Sequence, residues 1–289
     1  MKDILAVDVG ATKLAAARVT SEGAIKKQAS VPTKSDNAED LFLKLLSLSE
    51  DVLEGVEVEG CGVGSAGPMT DNGEKISPLN IPQWRSFPLR SKLSEALGVP
   101  VVLDNDAKAI ALGEGWIGAA SGHRNYLAMV VSTGIGGGLV IDGKLLDGDM
   151  GNAGHIGHVT VESDGPLCLC GSSGCLEALA SGAAIEKETG KPAAEASDEV
   201  KMRCGYFVGK AISIAVNLLD IPIVLIGGSV ALGFGPIFLN QVRSTATTFC
   251  GLDFTKDLQI DFAGLEDKAP LIGAAAVWLN SKGSISVEE

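Results

Sequence analysis

The segment GNAGHIGHV, residues 151–159, holds two of the three histidines in the chain. Three cysteines follow it in the short stretch CLCGSSGC. One histidine with three cysteines is a recognised ligand set for a structural zinc ion, closed to water because all four tetrahedral positions are filled. We therefore predict a structural Zn²⁺ bound by His158, Cys168, Cys170 and Cys175.

The sequence leaves two alternatives for these cysteines. One is a disulfide between Cys168 and Cys170, which would be strained at this spacing, and the other is a set of free thiols. In the zinc interpretation, Gly171 and Gly174 let the chain fold back between the last two thiols. The metal would then fasten the histidine loop to a helix that begins near Cys175.

A group of polar side chains occupies the point where a short buried strand gives way to a helix. VVLDNDAKAIALGEG, residues 101–115, places Asp104, Asn105 and Asp106 there. Helix capping explains any one of them, since Asp and Asn are favoured caps, but one cap does not need three such residues. We expect an Asp at a helix N-terminus to keep a low pKa. Phosphoryl transfer tolerates such a weak base, because the attacking hydroxyl loses its proton late.

Two glycine-rich turns have matching surroundings. DVGATK at 8–13 and STGIGGG at 132–138 each follow an apolar strand and precede a second strand. Neither fits a Walker A loop or a dinucleotide fingerprint, which need other glycine spacings and a following helix. A structural hairpin explains either turn alone, whereas the matched pair favours a cleft that grips phosphates from both sides. IGGSV at 226–230 supplies a third turn, where a nucleoside could dock.

Alternating strands and helices must position these candidates. A strand, a glycine turn and a second strand occur twice, which predicts a mainly parallel α/β core with an antiparallel hairpin opening each half. Two unrelated hairpins are the alternative. Helical spacing predicts helices over residues 38–55 and about 198–219. We predict a smaller N-terminal lobe, residues 1–115 plus a C-terminal helix at about 270–289, and a larger lobe, residues 116–269, with the zinc-binding segment.

Composition narrows the class of protein. With 289 residues, 46% hydrophobic, and 37 glycines, the chain suits an α/β enzyme whose backbone turns tightly around a ligand. The formal net charge of −13 offers no basic surface for nucleic acid or an anionic membrane. Asp8 interrupts the apolar start, so we expect no signal peptide. Asp220 and Pro222 interrupt the longest apolar region, so we expect no membrane span. Without an export signal, we expect reduced cysteines and a cytoplasmic location.

Taken together and in this order, the motifs resemble those of the ROK family of bacterial sugar kinases, repressors and related proteins. The resemblance runs from residue 4 to about residue 280. It implies a two-lobed α/β fold of the actin-like/hexokinase type (ribonuclease H-like), with ATP and a hexose meeting in a cleft between the lobes. The matching segments are DVGATK, DNDAKAIALGE, STGIGGGLVIDGKLL, GNAGHIGH, CLCGSSGCLE and IGGSV.

The resemblance also implies roles for individual residues. Asp106 would be the base that acts on the sugar 6-hydroxyl, and His158 would use one ring nitrogen for zinc and the other for the sugar. The other sugar-binding residues would be Gly67, Asn80, Asn105, His155 and Glu177. The residues around the ATP phosphates and Mg²⁺ would be Asp8, Gly10, Thr12, Lys13, Thr133 and Gly134, with Gly227 and Gly228 near the adenosine.

His155 departs from the family pattern, because most ROK glucokinases carry Glu there. A neutral imidazole offers one donor and one acceptor and lacks the charge of a carboxylate. The Gly-His-Ile-Gly-His version resembles that of bacterial N-acetylmannosamine kinases and suits a 2-acetamido group. We therefore expect an ATP-dependent kinase for the 6-hydroxyl of a hexose or N-acetylhexosamine, with N-acetylmannosamine first. The alternative is a glucokinase in which His155 is a neutral variant.

A non-catalytic sugar-sensing regulator is a further interpretation, which the intact Asn105–Asp106 pair and both phosphate turns disfavour. Some family members are repressors with a helix-turn-helix ahead of the kinase region. Because the first motif starts at residue 8, we expect no such segment and no nucleic-acid partner. The expected partners are a small-molecule sugar and ATP, with no membrane, and the resemblance implies a homodimer.

Overall fold

Two five-stranded sheets form the frame of the protein, which a computed structural model describes over residues 2–70 and 73–285. The strands of the first half are β1 (Asp3–Val9), β2 (Lys13–Val19), β3 (Ile25–Pro32), β4 (Val58–Ser65), β5 (Met69–Thr70), β6 (Lys75–Ile76) and β7 (Val101–Asn105). Those of the second half are β8 (Tyr126–Val131), β9 (Ile135–Ile141), β10 (Lys144–Leu145), β11 (Ile223–Gly227) and β12 (Gln259–Phe262).

The two sheets share one topology. The first runs β3-β2-β1-β4-β7 and the second β10-β9-β8-β11-β12, while β5 and β6 pair separately. In each sheet an antiparallel hairpin leads into three parallel strands. Gly10 and Gly134 lie in the turns of the two equivalent hairpins. The predicted internal repeat and the antiparallel hairpin of each half are confirmed. The sheets are mixed and not mainly parallel, since each has two parallel and two antiparallel pairings.

Eight helices lie among the described residues: α1 (Ala38–Leu53), α2 (Leu89–Leu97), α3 (Asp106–Ile117), α4 (Leu176–Ala180), α5 (Gly182–Thr189), α6 (Asp198–Leu219), α7 (Ser229–Phe249) and α8 (Ala269–Ser281). Polar caps set the start of the two helices predicted from spacing. The Asn37 side chain accepts a hydrogen bond from the N–H of Asp40 at α1, and the Ser197 side chain accepts one from Val200 at α6. No described helix is both long and apolar enough for a membrane crossing.

The C-terminal helix α8 packs on the first sheet, where Trp278 is buried in a cluster with Ile4 and Ala6. It ends at Ser281, although the sequence predicted a helix to about residue 289. Gly283 takes a φ of 68°, a left-handed conformation that typically closes a helix. The last part of that prediction, residues 286–289, lies outside the described residues. The predicted lobe boundary at residues 115/116 falls within α3, and the division into lobes stays a prediction.

Glu114 joins the two connections that run between the sheets. It lies in α3 with 0% exposure. Its Oε2 accepts hydrogen bonds from the N–H groups of Ala119 (2.8 Å) and Gly264 (3.0 Å), and its Oε1 accepts one from Leu265 (2.9 Å). Ala119 belongs to the connection from α3 to β8, and the other two residues to the connection from β12 to α8. One carboxylate therefore holds both connections.

Candidate functional site

The candidate site lies at the carboxyl edge of the first sheet. Strands β1, β4 and β7 are parallel, and Asp8 pairs in register with Gly64, which pairs with Asp104. The residues that follow these strand ends, including Gly67 and Asp106, therefore share one edge, which is where parallel α/β sheets bind ligands.

Asn105 caps helix α3, and its side chain also lies beside the Gly67 turn. Its Oδ1 accepts hydrogen bonds from the backbone N–H groups of Ala107 (3.0 Å) and Lys108 (3.4 Å), which makes it the N-cap of α3. A Cβ built on Gly67 would lie 3.6 Å from the Asn105 Nδ2 atom. The capping explanation is thus correct for the Asn105 oxygen, while its amide nitrogen faces Gly67.

Asp106 is the first residue of α3. Burial raises the pKa of its carboxyl group, although backbone N–H groups, that of Ala107 first, act to lower it. The negative charge of Glu177 acts in the same direction as burial, and a protonated His155 would act in the opposite direction. The expected low pKa is therefore wrong: the helix N-terminus does act as expected, but burial outweighs it. A raised pKa brings this carboxylate nearer to the range of an effective general base.

Asp8 is the penultimate residue of β1, beside the first glycine turn, and is 8% exposed. Burial, assisted by the charge of Asp106, raises the pKa of Asp8 to about 7, and Lys13 opposes this shift. Two acidic side chains whose charges repel each other are a candidate place for a divalent cation, which prefers carboxylate oxygens. In the same turn Thr12 and Lys13 are exposed, so that their side chains are accessible to a ligand.

The His155 ring approaches the site from the second half of the chain. Its Nδ1 lies 2.9 Å from the carbonyl oxygen of Asn152, and because a carbonyl only accepts, Nδ1 carries the proton. In the neutral ring Nε2 is then a hydrogen-bond acceptor. A Cβ on Gly67 would lie 3.9 Å from this Nε2 atom, so an acceptor of the second half faces the Gly67 turn of the first.

Glu177 connects the site to the second glycine turn. Its Oε2 accepts a 2.8 Å hydrogen bond from the N–H of Ile135, and a Cβ on Gly134 would lie 2.8 Å from the same oxygen. This bond engages one of the two carboxylate oxygens. Glu177, a predicted sugar-binding residue, therefore contacts the turn of Gly134, which is predicted to bind phosphate.

The predicted nucleotide turns of the second sheet meet each other. The hydroxyls of Ser132 and Ser229 are 2.9 Å apart, which joins the turn of Thr133 to the start of α7. Gly228 has a φ of 96°, and a Cβ there would lie 2.4 Å from the carbonyl oxygen of Val131. Only glycine fits this close approach without strain. Gly227 precedes it at the end of β11.

The predicted zinc ligands cluster as expected. The ligand atoms of His158, Cys168, Cys170 and Cys175 all lie within 4.8 Å of one another. The His158 Nδ1 and Cys168 Sγ atoms are 3.7 Å apart, and the Cys170 and Cys175 sulfurs 3.6 Å, close to the edges of about 3.6–3.8 Å of a tetrahedron with zinc bond lengths. Donor set and geometry fit a zinc ion. The structure does not contain the alternative Cys168–Cys170 disulfide, since both cysteines are free.

Backbone geometry supports this cluster. Gly174 has a φ of 71°, and a Cβ there would lie 1.7 Å from the carbonyl oxygen of Glu162. Cys175 is the N-cap of α4, so the cluster ends where that helix begins. Because His158 presents Nδ1 to the cysteines, its Nε2 is on the opposite side of the ring. The His155 and His158 ring centroids are 6.0 Å apart, with the planes inclined by 24°.

Asn80 is the predicted sugar residue with the least direct link to the others. It is exposed in the loop after β6. That loop is anchored to the Gly67 turn by a 3.0 Å hydrogen bond from the N–H of Ser77 to the carbonyl oxygen of Pro68. This bond brings the loop to the Gly67 turn, and the sugar-binding role of Asn80 stays a prediction.

The sequence motifs did not predict several residues whose hydrogen bonds hold the segments of the site together. Lys108 is 1% exposed and bonds to groups from two parts of the chain, and Asn152 bonds to both the N–H and the carbonyl of Met69. Ser132 and Ser229 were also missed. A lysine within the otherwise apolar ALGE helix and serines beside glycine turns are signals that could have identified them.

Comparison with known proteins identifies relatives along nearly the whole chain. The model of the ROK family matches residues 4–281. A protein named glucokinase from Thermotoga maritima is 32% identical, over 95% of this chain and 96% of its own length. One named N-acetylmannosamine kinase from Citrobacter koseri is 35% identical, over 83% of this chain and 87% of its own.

A solved structure agrees with these sequence matches. The ROK family glucokinase from Streptomyces griseus, in complex with glucose and AMPPNP, superimposes with a TM-score of 0.83 at 32% identity, over 94% of this chain and 98% of that one. The likeness confirms the predicted α/β fold of the actin-like, hexokinase type.

Proposed function

Because this chain belongs to the ROK family, we propose that it is a sugar kinase that transfers a phosphoryl group from ATP to the 6-hydroxyl of a hexose or N-acetylhexosamine, with N-acetylmannosamine as the preferred substrate. The observation that carries the proposal is the convergence on Asp106. Its half-buried carboxylate at a helix start lies within electrostatic reach of Asp8, His155 and Glu177, which come from both halves of the chain.

Asp106 is the proposed catalytic residue. Its carboxylate would accept a hydrogen bond from the sugar 6-hydroxyl and so aim the oxygen at the γ-phosphorus. The O–P bond to the sugar then forms as the bond to ADP breaks, and the hydroxyl proton passes to Asp106. Phosphoryl transfer depends chiefly on such positioning and on neutralising the phosphate charge. The raised pKa makes Asp106 a better proton acceptor than an ordinary aspartate.

The two glycine turns are the proposed phosphate sites. Exposed Thr12 and Lys13 on one side and Thr133 with Gly134 on the other would contact the ATP phosphates, and Gly10 keeps the first turn close to them. Mg²⁺ bound with ATP would neutralise phosphate charge near the Asp8 carboxylate. The start of α7 would receive the adenosine at Gly227 and Gly228.

The sugar pocket is proposed between the Gly67 turn, Asn105, His155, His158 and Glu177, with Asn80 at its rim. The protonated Nδ1 of His155 leaves Nε2 as an acceptor, which the N–H of a 2-acetamido group can satisfy. An uncharged ring also costs less to pack against the acetyl methyl than a carboxylate would. The relative named N-acetylmannosamine kinase supports this choice.

Glucose is the second candidate substrate, since the Thermotoga maritima relative bears the name glucokinase. A hydroxyl can also donate to the His155 Nε2 atom. The two proposals differ in what faces this nitrogen, an amide or a hydroxyl at carbon 1 or 2. A sensor without catalysis is a weaker third candidate, since it would not need Asp106.

We also propose that zinc fills the cluster of His158 and the three cysteines, where it would act structurally. A homodimer follows from the family alone, and light scattering in solution tests it. Use of ATP would place the reaction in the cytoplasm. The proposed lobes are residues 1–115 with the C-terminal helix, and 116–269.

An ADP-release assay with Mg-ATP tests the function. Glucose, mannose, N-acetylglucosamine and N-acetylmannosamine are compared at a range of concentrations. We expect the highest kcat/KM with N-acetylmannosamine. A highest value with glucose would replace the preferred substrate, while sugar binding by calorimetry without ADP release from any of the four would favour the sensor.

A further inference from the structure

Lys108 lies in the first turn of α3, two residues after Asp106. Its side chain is almost fully buried, and its Nζ contacts the Oδ1 atoms of Asp104 (2.8 Å) and Asp147 (2.6 Å) and the carbonyl oxygen of Gly151 (3.2 Å). Asp104 belongs to β7 of the first sheet, whereas Asp147 and Gly151 belong to the loop after β10. The ammonium therefore connects the two halves of the chain.

The loop held by Lys108 leads directly to His155. Asn152 follows Gly151, and its carbonyl oxygen accepts the hydrogen bond from the His155 ring. The Asn152 side chain also bonds to the backbone of Met69, next to the Gly67 turn (3.3 and 3.4 Å). The orientation of the His155 ring thus depends on a segment fixed at Asp147, Gly151 and Asn152.

The charge of Lys108 is maintained by its partners. Burial acts to lower the pKa of its ammonium, and the carboxylates of Asp104 and Asp147 more than offset this, so that the pKa is raised. A buried ion group adds little net stability compared with an apolar side chain of the same size. We therefore expect Lys108 to matter more for the position of the segments it contacts than for the free energy of unfolding.

We propose that Lys108 is a positioning residue, which pins the loop of residues 147–152 to the helix of Asp106 and so sets the place of His155 in the sugar pocket. The proposal rests on the proposed function, because the sugar is the ligand that would report the position of His155. Lys108 itself does not touch the reacting atoms.

Asp147→Ala tests this with little risk to folding, since the Asp147 side chain is 62% exposed. Its matched control is Asp149→Ala, an exposed acid in the same loop. We expect Asp147→Ala to raise KM for N-acetylmannosamine or glucose at least about fivefold, with kcat and KM for ATP within about twofold of wild type. Asp149→Ala should leave all three constants unchanged, and Asp147→Glu, which restores the carboxylate, should return KM to within about threefold.

The double variant Lys108→Met with Asp104→Asn removes both buried charges together. We expect it to show the same rise in sugar KM, with thermal unfolding confirming that it is folded. Equal sugar KM in Asp147→Ala and Asp149→Ala would overturn the positioning role, as would a loss of kcat without a change in KM. A wild-type protein that neither binds nor phosphorylates either sugar would overturn the proposed function itself, and the positioning role with it.

Discussion

The carboxylate of Glu177 receives a 2.8 Å hydrogen bond from the backbone N–H of Ile135, so helix α4 is tied to the hairpin turn of the second sheet. The same helix begins at Cys175, one of the four clustered zinc-type ligands. A continuous series of contacts therefore runs from the cysteine cluster through Glu177 to Gly134. The proposed metal, sugar and phosphate sites are neighbours along one short helix.

Loss of the proposed zinc should therefore lower both the thermal stability and the kinase activity of the protein. Native mass spectrometry is expected to find about one zinc per chain, and Cys168→Ser should lower both the zinc content and the Tm, since metal binding contributes folding free energy. The control is Cys250→Ser, outside the cluster. A zinc-free preparation with full activity would refute this metal assignment.

Asp106→Ala should remove turnover while sugar affinity changes by less than about tenfold, or 1.4 kcal/mol. The base is lost, whereas the other pocket residues keep their contacts. Asp106→Asn, of nearly the same size, separates charge from shape and should be similarly inactive. Kinetics of ADP release and calorimetric sugar binding give the two quantities. More than a few per cent residual kcat in either variant counts against the catalytic role.

His155→Glu should shift preference from N-acetylmannosamine towards glucose, because it places a charged acceptor where a neutral one now lies. The measure is the ratio of the two kcat/KM values, which is insensitive to the active fraction. His155→Gln keeps a neutral acceptor and serves as the matched control, with a smaller expected shift. An unchanged ratio in His155→Glu would contradict the specificity argument.

Asp8→Asn should stabilise the protein in the absence of ATP and Mg²⁺. The pKa of Asp8 is about 7 in the folded protein against an ordinary value of 3.8. The folded state therefore binds the extra proton between these values, and stability falls as pH rises from about 4 to 7 and stays low above it. Asn removes this cost, which is at most about 4 kcal/mol.

Thermal unfolding at pH 5 and pH 8 checks the Asp8 prediction. The Tm gain of Asp8→Asn should be several degrees larger at pH 8, while Asp149→Asn should show no such difference. Equal gains at both pH values would be inconsistent with a titrating Asp8. Kinase activity should fall in the same variant, because the proposed cation site loses its charge.

Much of the fold could be predicted because strand and helix periods, glycine turns and caps are local features. The hairpins at Gly10 and Gly134 and the helix start at Asp106 belong to this class. The cysteine cluster was also predictable, since its ligands lie close together along the chain. The specific residue roles in the sugar and phosphate sites stay predictions.

What could not be predicted depends on contacts between distant segments. Lys108 meets Asp147 only after the two halves pack, and Ser132 meets Ser229 across 97 positions of sequence. The pKa of Asp106 is raised by burial, which no local pattern reports. These features require the tertiary structure, because each depends on residues that are far apart in the sequence and close together in the fold.

The three hydrogen bonds accepted by Glu114 make the two connections between the sheets a single joint. Neither connection can slide past the other without breaking a bond to the same carboxylate. We therefore expect the two sheets to move by a hinge rotation about Glu114, which changes the angle between them, and not by a shear motion. The cleft between the sheets would then open more for a larger sugar than for a smaller one, while the contacts of Glu114 stay the same.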